Sequence, residues 1–378
     1  MITVNNKHTQ LDDLLDNMAE EIQLDNSRYD RIKKHYEAVK NWIEDDEIFF
    51  KPFKYDVYPH GSVRISTTVK PIGRDEFDLD IAIHLKAEWN SHTPARIYQE
   101  LKRRLEENET YKAMLEPKNR CLRLNYSGDF HMDILPGIQE HPSDGNKLKV
   151  PDRELGTWVS SNPRGYANWF MQRTNLVKES LLEKAFNAEH IPSDNFKYKK
   201  PLQRGVQLIK RYRDIYFQKD DTYKTSSIVL TTIAGQFYKG EDSIYDTVDG
   251  IITSIRTNIS DTSSRIKILN PVNSAEDFTD KWETEPLYYD AFKKFCDFLY
   301  NEWQKLKVEN GVIEESKILK GLFGDDLYGK AYARQTAQVE NYRKNNSLGV
   351  TRAGVLGAVS SAATKTTAAI KSNTFFGE

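Results

Sequence analysis

Asp78 and Asp80 stand two apart in the run DLDIAIHL, which spans Asp78 to Leu85. The run alternates as a β-strand does. Side chains two apart on a strand leave the same face, so both carboxylates aim at one point while Leu79, Ile81 and Ile83 enter the core. Paired hard oxygen ligands suit magnesium, with manganese as a substitute, which fills its remaining positions with water and substrate phosphates. An Asp-x-Asp at a strand edge can also do no more than keep a surface wet, so its company matters. Gly61-Ser62 comes upstream, where a glycine lets backbone amides approach a phosphate and a serine hydroxyl can bond a terminal phosphate oxygen. The simpler reading of that pair is a strand-ending turn. Asp133 lies in DFHMDIL on the side of His131 and Leu135, opposite Phe130, Met132 and Ile134. An acid in so apolar a strand is costly to bury unless paired or metal-bound. If that strand lies beside the one carrying Asp78, three carboxylates meet.

These residues need elements to position them. Leu11, Leu14, Leu15, Met18 and Ile22 recur at helical spacing, as do Ile32, Tyr36, Val39 and Ile43 after the Asp25-Asn26-Ser27 break, so two helices precede any strand. Phe53, Tyr55 and Val57 mark a strand that stops at Pro59-His60-Gly61. Thr93-Pro94 reads as a cap and first-turn proline for a helix carrying Ile97, Leu101 and Leu105. CLRLNY and DFHMDIL are strands joined through Ser127-Gly128, a dipeptide suited to a tight hairpin. From Asn162-Pro163, a second cap pair, the pattern turns helical, and Leu202, Val206, Ile209 and Tyr216 line one side of PLQRGVQLIKRYRDIYF. The expected organisation is a core with N-terminal helices over 1–155, a helical domain over 156–344 and a flexible tail over 345–378. The tail is rich in Ala, Ser, Thr and Gly and ends in Phe375-Phe376-Gly377-Glu378.

Bulk properties narrow the function. Length suits two packed domains with a cleft between them. The 54 Lys and Arg nearly balance 56 Asp and Glu, for a formal charge of -2, so no global electrostatic case exists for binding long nucleic acid. Cys121 and Cys296 are the only cysteines and lie far apart, which excludes a zinc ribbon and points to a reducing cytoplasm. No export signal and no apolar run near the roughly 20 residues of a membrane span is present.

Taken together, Gly-Ser, then Asp-x-Asp on a strand, then a third Asp on a later strand resembles the polymerase β nucleotidyltransferase superfamily. The extended form GSVRISTTVKP followed by DEFDLD, with fifteen residues between Ser62 and Asp78, is similar to the bacterial relatives of cyclic GMP-AMP synthase, the cyclic-oligonucleotide synthases of anti-phage defence. The motifs cover roughly residues 53–136, with weaker matches to about 237. The resemblance implies an α+β fold: a mixed sheet with flanking helices, a C-terminal helical domain, and the active site in the cleft between them. It implies that Asp78, Asp80 and Asp133 hold two magnesium ions and serve catalysis. Gly61, Ser62, Lys210 and Ser226 or Ser227 would bind the nucleoside triphosphate, ATP, GTP or another. Without the resemblance, Lys210, Arg211 and Arg213 read as a solvated helix face and the serines as a helix cap. No Tyr follows Ser227, so the base-stacking residue is unassigned. His131 and His60 are expected to be structural.

The implied reaction joins nucleoside triphosphates into a cyclic di- or trinucleotide with release of pyrophosphate, the product acting on a downstream effector. Relatives with an accessible C-terminus are joined to targets by ubiquitin-transfer-like enzymes, which would suit the tail. The rivals are an enzyme of the same superfamily that extends RNA or modifies protein, and an inactive nucleotide-binding scaffold. Neutral charge argues against the first. A scaffold has no need to gather mutually repelling carboxylates.

Overall fold

The computed structural model describes residues 6–73, 76–177, 195–262, 264–308, 311–345, 348–351, 356–358 and 367–369. Helices α1 (Asn6–Glu21) and α2 (Asn26–Glu44) lead the chain, the Asp25 side chain accepting from the Arg28 backbone N–H to start α2. There follow β1 (Tyr55–His60), the short α3 (Gly61–Arg64), β2 (Phe77–Leu85), α4 (Pro94–Glu106), α5 (Glu109–Met114), β3 (Leu115–Pro117), β4 (Leu122–Tyr126), β5 (Phe130–His141), β6 (Asp144–Asp152) and β7 (Thr157–Ser161). The strands form one mixed sheet in the order β1-β2-β5-β4-β3, with β6 on β5 and β7 on β6. Among the described strands β2 and β5 alone pair in parallel, and the crossover that parallel neighbours need runs through α4 and the β3–β4 hairpin. Ile32, Tyr36, Val39 and Ile43 of α2 and Ile97, Leu101 and Leu105 of α4 share a core with Leu79, Ile81, Ile83, Met132 and Ile134 of the sheet.

The second half comprises α6 (Pro163–Thr174), α7 (Pro201–Tyr216), α8 (Ser227–Phe237), α9 (Ile244–Asp261), β8 (Leu269–Asn270), β9 (Asn273–Asp277), α10 (Lys281–Thr284), α11 (Leu287–Lys307), α12 (Val312–Phe323) and α13 (Asp325–Lys344). Asn162 caps α6 by accepting from the Gly165 N–H. These helices build their own core around Leu202, Val206, Leu208, Phe292, Phe295 and Trp303.

Three features of the structure bear on the expected organisation. Helix α1 belongs to the helical half: Leu11, Leu14, Leu15, Met18 and Ile22 pack in its core, and Arg334 of α13 pairs with Glu20 and Glu21. An apolar stripe specifies that a helix is covered, and leaves the partner open. The sheet also runs past the expected boundary at 155, since β7 extends to Ser161. Finally, the segment expected to be a flexible tail contains β10 (Leu348–Thr351), β11 (Leu356–Ala358) and β12 (Thr367–Ala369), an antiparallel sheet with β10 central, packed beside α13. Gly349 stands opposite Gly357 and Ala369 in the register, in a stretch whose sequence carries no amphipathic signal. Phe375–Glu378 lie outside the described residues.

Candidate active site

Strand β2 turns Asp78 and Asp80 to one face while burying Leu79 and Ile81 on the other. Parallel pairing sets Asp80 beside Asp133 on β5 and Asp78 beside His131. The strand of Asp133 thus lies beside the one carrying Asp78 and Asp80. Burial first, then Asp78 and Asp133, push the Asp80 carboxyl up to about 8, and burial followed by repulsion from Asp133 raises that of Asp78.

The turn after β1 approaches this cluster closely. Gly61 has φ +60, and a Cβ there would lie 2.0 Å from Asp80 Oδ2, so only glycine admits the carboxylate. Ser62 sits in the first turn of α3, its hydroxyl 3.2 Å from that of Thr68. His60 ends β1 opposite Asp80, and burial lowers its imidazole to about 4, which leaves it neutral. His131 pairs with Glu76 at 3.1 Å.

Helix α7 meets the long loop after Ser62 along one face. Gln203 donates to the Ile65 carbonyl at 2.9 Å, Gln207 to Thr68 at 2.6 Å, Lys210 Nζ to Thr67 at 3.1 Å, and Arg211 to Lys70. These positions follow helical spacing, so the helical half grips a loop of the sheet half. Lys210 is 4% exposed, and burial, then Arg213, lower its ammonium to about 7 against the pull of Asp214 and Asp80. The solvated-face reading of Lys210 and Arg211 is wrong. Arg213 donates to Ser227 Oγ at 2.6 Å and pairs with Asp214, which also holds Lys224 at 3.0 Å. Ser226 precedes α8 without a side-chain capping bond, so the simple cap reading fails for its hydroxyl.

One cavity of about 660 Å³ between the two halves is lined by Gly61, Ser62, Asp78, Asp80, Lys210, Ser226 and Ser227. Asp133 stands one strand behind, next to Asp80. Arg213, Lys224, Asn270 and Glu276 also line the cavity, together with the aromatic rings of Phe77, Tyr166 and Phe278, and sequence reasoning did not place these there. Nor did it find Arg123, whose guanidinium forks onto Asp133 at 2.7 and 2.8 Å. The Ser127-Gly128 hairpin carried that signal, since pairing Tyr126 with Phe130 sets Arg123 opposite Asp133.

The paired hard oxygen donors of Asp78 and Asp80, both facing the cavity, have the chemistry that a divalent cation takes. Among the described residues no trio of His, Cys, Asp or Glu is gathered round a single point, and Arg123 engages both oxygens of Asp133.

A mixed sheet with acidic β2 and β5, closed by a helical half that supplies cationic and hydroxyl groups to the same cavity, defines a nucleotidyltransferase. Residues 9–174 match the Second Messenger Oligonucleotide or Dinucleotide Synthetase domain family. The chain is 42% identical over 380 residues to a c-di-GMP synthase of Roseivirga ehrenbergii, covering 100% of both. It is 25% identical over 371 residues to the cyclic dinucleotide synthase CdnG of Bradyrhizobium diazoefficiens, covering 92% of this chain and 88% of that one. The solved structure of that CdnG in complex with GTP matches with a TM-score of 0.69 at 22% identity, over 86% of this chain and 99% of that chain. Escherichia coli CdnC with ATP matches with a TM-score of 0.63 at 13% identity, over 83% and 98%. This chain belongs to the bacterial CD-NTases, the cyclic-oligonucleotide synthases of anti-phage signalling. Nothing in these matches supports RNA extension, protein modification or an inactive scaffold. Among the described residues no helix is long and apolar enough to cross a membrane.

Proposed function

We propose that this protein joins GTP to GTP and closes the product into cyclic di-GMP in the cytoplasm, with magnesium, or manganese in its place, at Asp78, Asp80 and Asp133. Full-length identity of 42% to a c-di-GMP synthase carries the choice of product. The meeting of the carboxylates with Ser62, Lys210 and the α8 serines in one cavity supports the site.

Magnesium bound there supplies positive charge to the triphosphate and acidifies the acceptor ribose hydroxyl. The chain's own groups do the rest. Gly61 leaves room for the Asp80 carboxylate, and Ser62, Ser226 and Ser227 donate hydroxyls to the donor phosphates. Arg213, Lys224 and Lys210 balance the charge of the departing pyrophosphate. Asp133 would complete the acceptor-side metal site and help the acceptor hydroxyl lose its proton to solvent. The hydroxyl oxygen forms a bond to the α-phosphorus as the bond from that phosphorus to the pyrophosphate oxygen breaks. A second, intramolecular repeat of the step closes the ring. Cyclic di-GMP then acts on an effector, and the C-terminus beyond the last described strand serves as a substrate for ubiquitin-transfer-like enzymes.

Incubating the purified protein with each triphosphate alone and in pairs, then treating with phosphatase and recording a mass spectrum, tests the proposal. GTP alone should yield a phosphatase-resistant cyclic di-GMP. A ring containing another base, or a ladder of linear products, would overturn it.

A further inference from the structure

Asp78, Asp80 and Asp133 stand on neighbouring strands at one end of the cleft, and among the described residues the cation that ion-pairs with them is on β4. Antiparallel pairing places Arg123 directly opposite Asp133. Its Nε donates to Asp133 Oδ1 at 2.7 Å, its Nη2 to Oδ2 at 2.8 Å, and the same Nη2 reaches Asp78 Oδ1 at 3.3 Å. A forked pair of this kind is the strongest and most directional contact an arginine makes with a carboxylate. Both partners are largely shielded, with side chains 21% and 18% exposed. Lys210 acts on Asp80 from a distance while its ammonium bonds Thr67, and among the described residues no ion pair reaches Asp80.

We infer that Arg123 is the cluster's built-in counter-ion: it holds Asp133 and Asp78 in place before a divalent cation enters and competes with that cation for Asp133. Arg123 does not line the cavity, so it acts through the two aspartates as a positioning residue. The competition has a definite sign. If Arg123 only shaped the ligands, its loss would weaken metal binding. As a competing charge, its loss leaves three uncompensated carboxylates and strengthens binding, while destabilising the metal-free protein.

The inference rests on the carboxylates being the metal site, and the test separates the two. Manganese is titrated into metal-stripped full-length protein without nucleotide, and free aqueous ion is read by electron paramagnetic resonance. Arg123→Gln should bind manganese roughly tenfold more tightly than the unsubstituted protein, the scale on which one close opposite charge shifts a carboxylate. Arg123→Lys, which keeps the charge without the fork, should fall between them and serves if the Gln variant does not fold. Melting in EDTA should show Arg123→Gln destabilised, with the deficit shrinking as manganese is added. Equal or weaker manganese binding, or a deficit indifferent to manganese, would overturn the inference. A site that fails to bind manganese in the unsubstituted protein, or binds it equally after Asp78→Asn with Asp80→Asn, would instead remove the metal-site reading beneath it.

Discussion

The ammonium of Lys210 lies 3.1 Å from the Thr67 carbonyl oxygen and 3.2 Å from the Thr67 hydroxyl. It therefore has two tasks, facing the cavity and anchoring the loop that follows Ser62. Gln203, Gln207 and Arg211 bond the same loop at Ile65, Thr68 and Lys70, so the loop after Ser62 is fixed by the helical half of the molecule as well as by the sheet that carries it.

Lys210→Met should accordingly raise the KM for GTP more than it lowers kcat, and also cost about 1–3 kcal/mol of stability by leaving buried Thr67 acceptors without a donor. Steady-state kinetics with urea unfolding would check both. Unchanged KM with lost stability would leave Lys210 an anchor alone.

Gly61→Ala should reduce turnover by roughly a hundredfold while the protein stays folded, because the added methyl at φ +60 drives into Asp80 Oδ2 and shifts a carboxylate in the cleft. GTP turnover and a circular dichroism spectrum would measure this. Normal activity would mean that Asp80 has freedom the packing does not suggest.

Asp78→Asn with Asp80→Asn should abolish turnover and, in EDTA, raise the melting temperature by at least about 2 °C, the scale of a kilocalorie in a chain of this size. The effect has a pH dependence of known sign. The folded Asp80 keeps its proton up to about 8, whereas its ordinary value is 3.8. Between those values the unfolded chain releases the proton first, so the unsubstituted protein loses stability as pH rises and levels off above about 8. The advantage of the double variant should thus be near zero at pH 4 and grow to a plateau past pH 8. A pH-independent difference in melting scans would contradict the raised acidity constant.

Truncation after Lys344 should leave GTP turnover within about a factor of two, since the cavity is lined only by residues from His60 to Phe278; a purely peripheral change stays within about 0.5 kcal/mol. The same truncation should eliminate conjugates formed through the C-terminus in cells, read by mass spectrometry. Loss of basal turnover would show that the sheet of β10, β11 and β12 supports the catalytic half through α13.

Much of this protein was legible in its sequence, because period-two alternation fixes which side chains share a strand face. Asp78 and Asp80 on one face, Asp133 in an apolar strand, the Ser127-Gly128 hairpin and the capped starts at Thr93 and Asn162 all follow from local chemistry. Strand neighbours do not, since alternation says nothing of which strand lies alongside. Only the tertiary pairing of β2 with β5 brought Asp80 beside Asp133. The same holds for α1, whose apolar stripe would fit either core, and for the small-residue strands near the C-terminus, which carry no periodic signal. Lys210 illustrates the limit most clearly. A run of Lys, Arg, Tyr and Arg on a helix looks solvated, and only a loop folding back from the other half of the chain could bury its first cation, because that loop supplies the carbonyl oxygens which replace water.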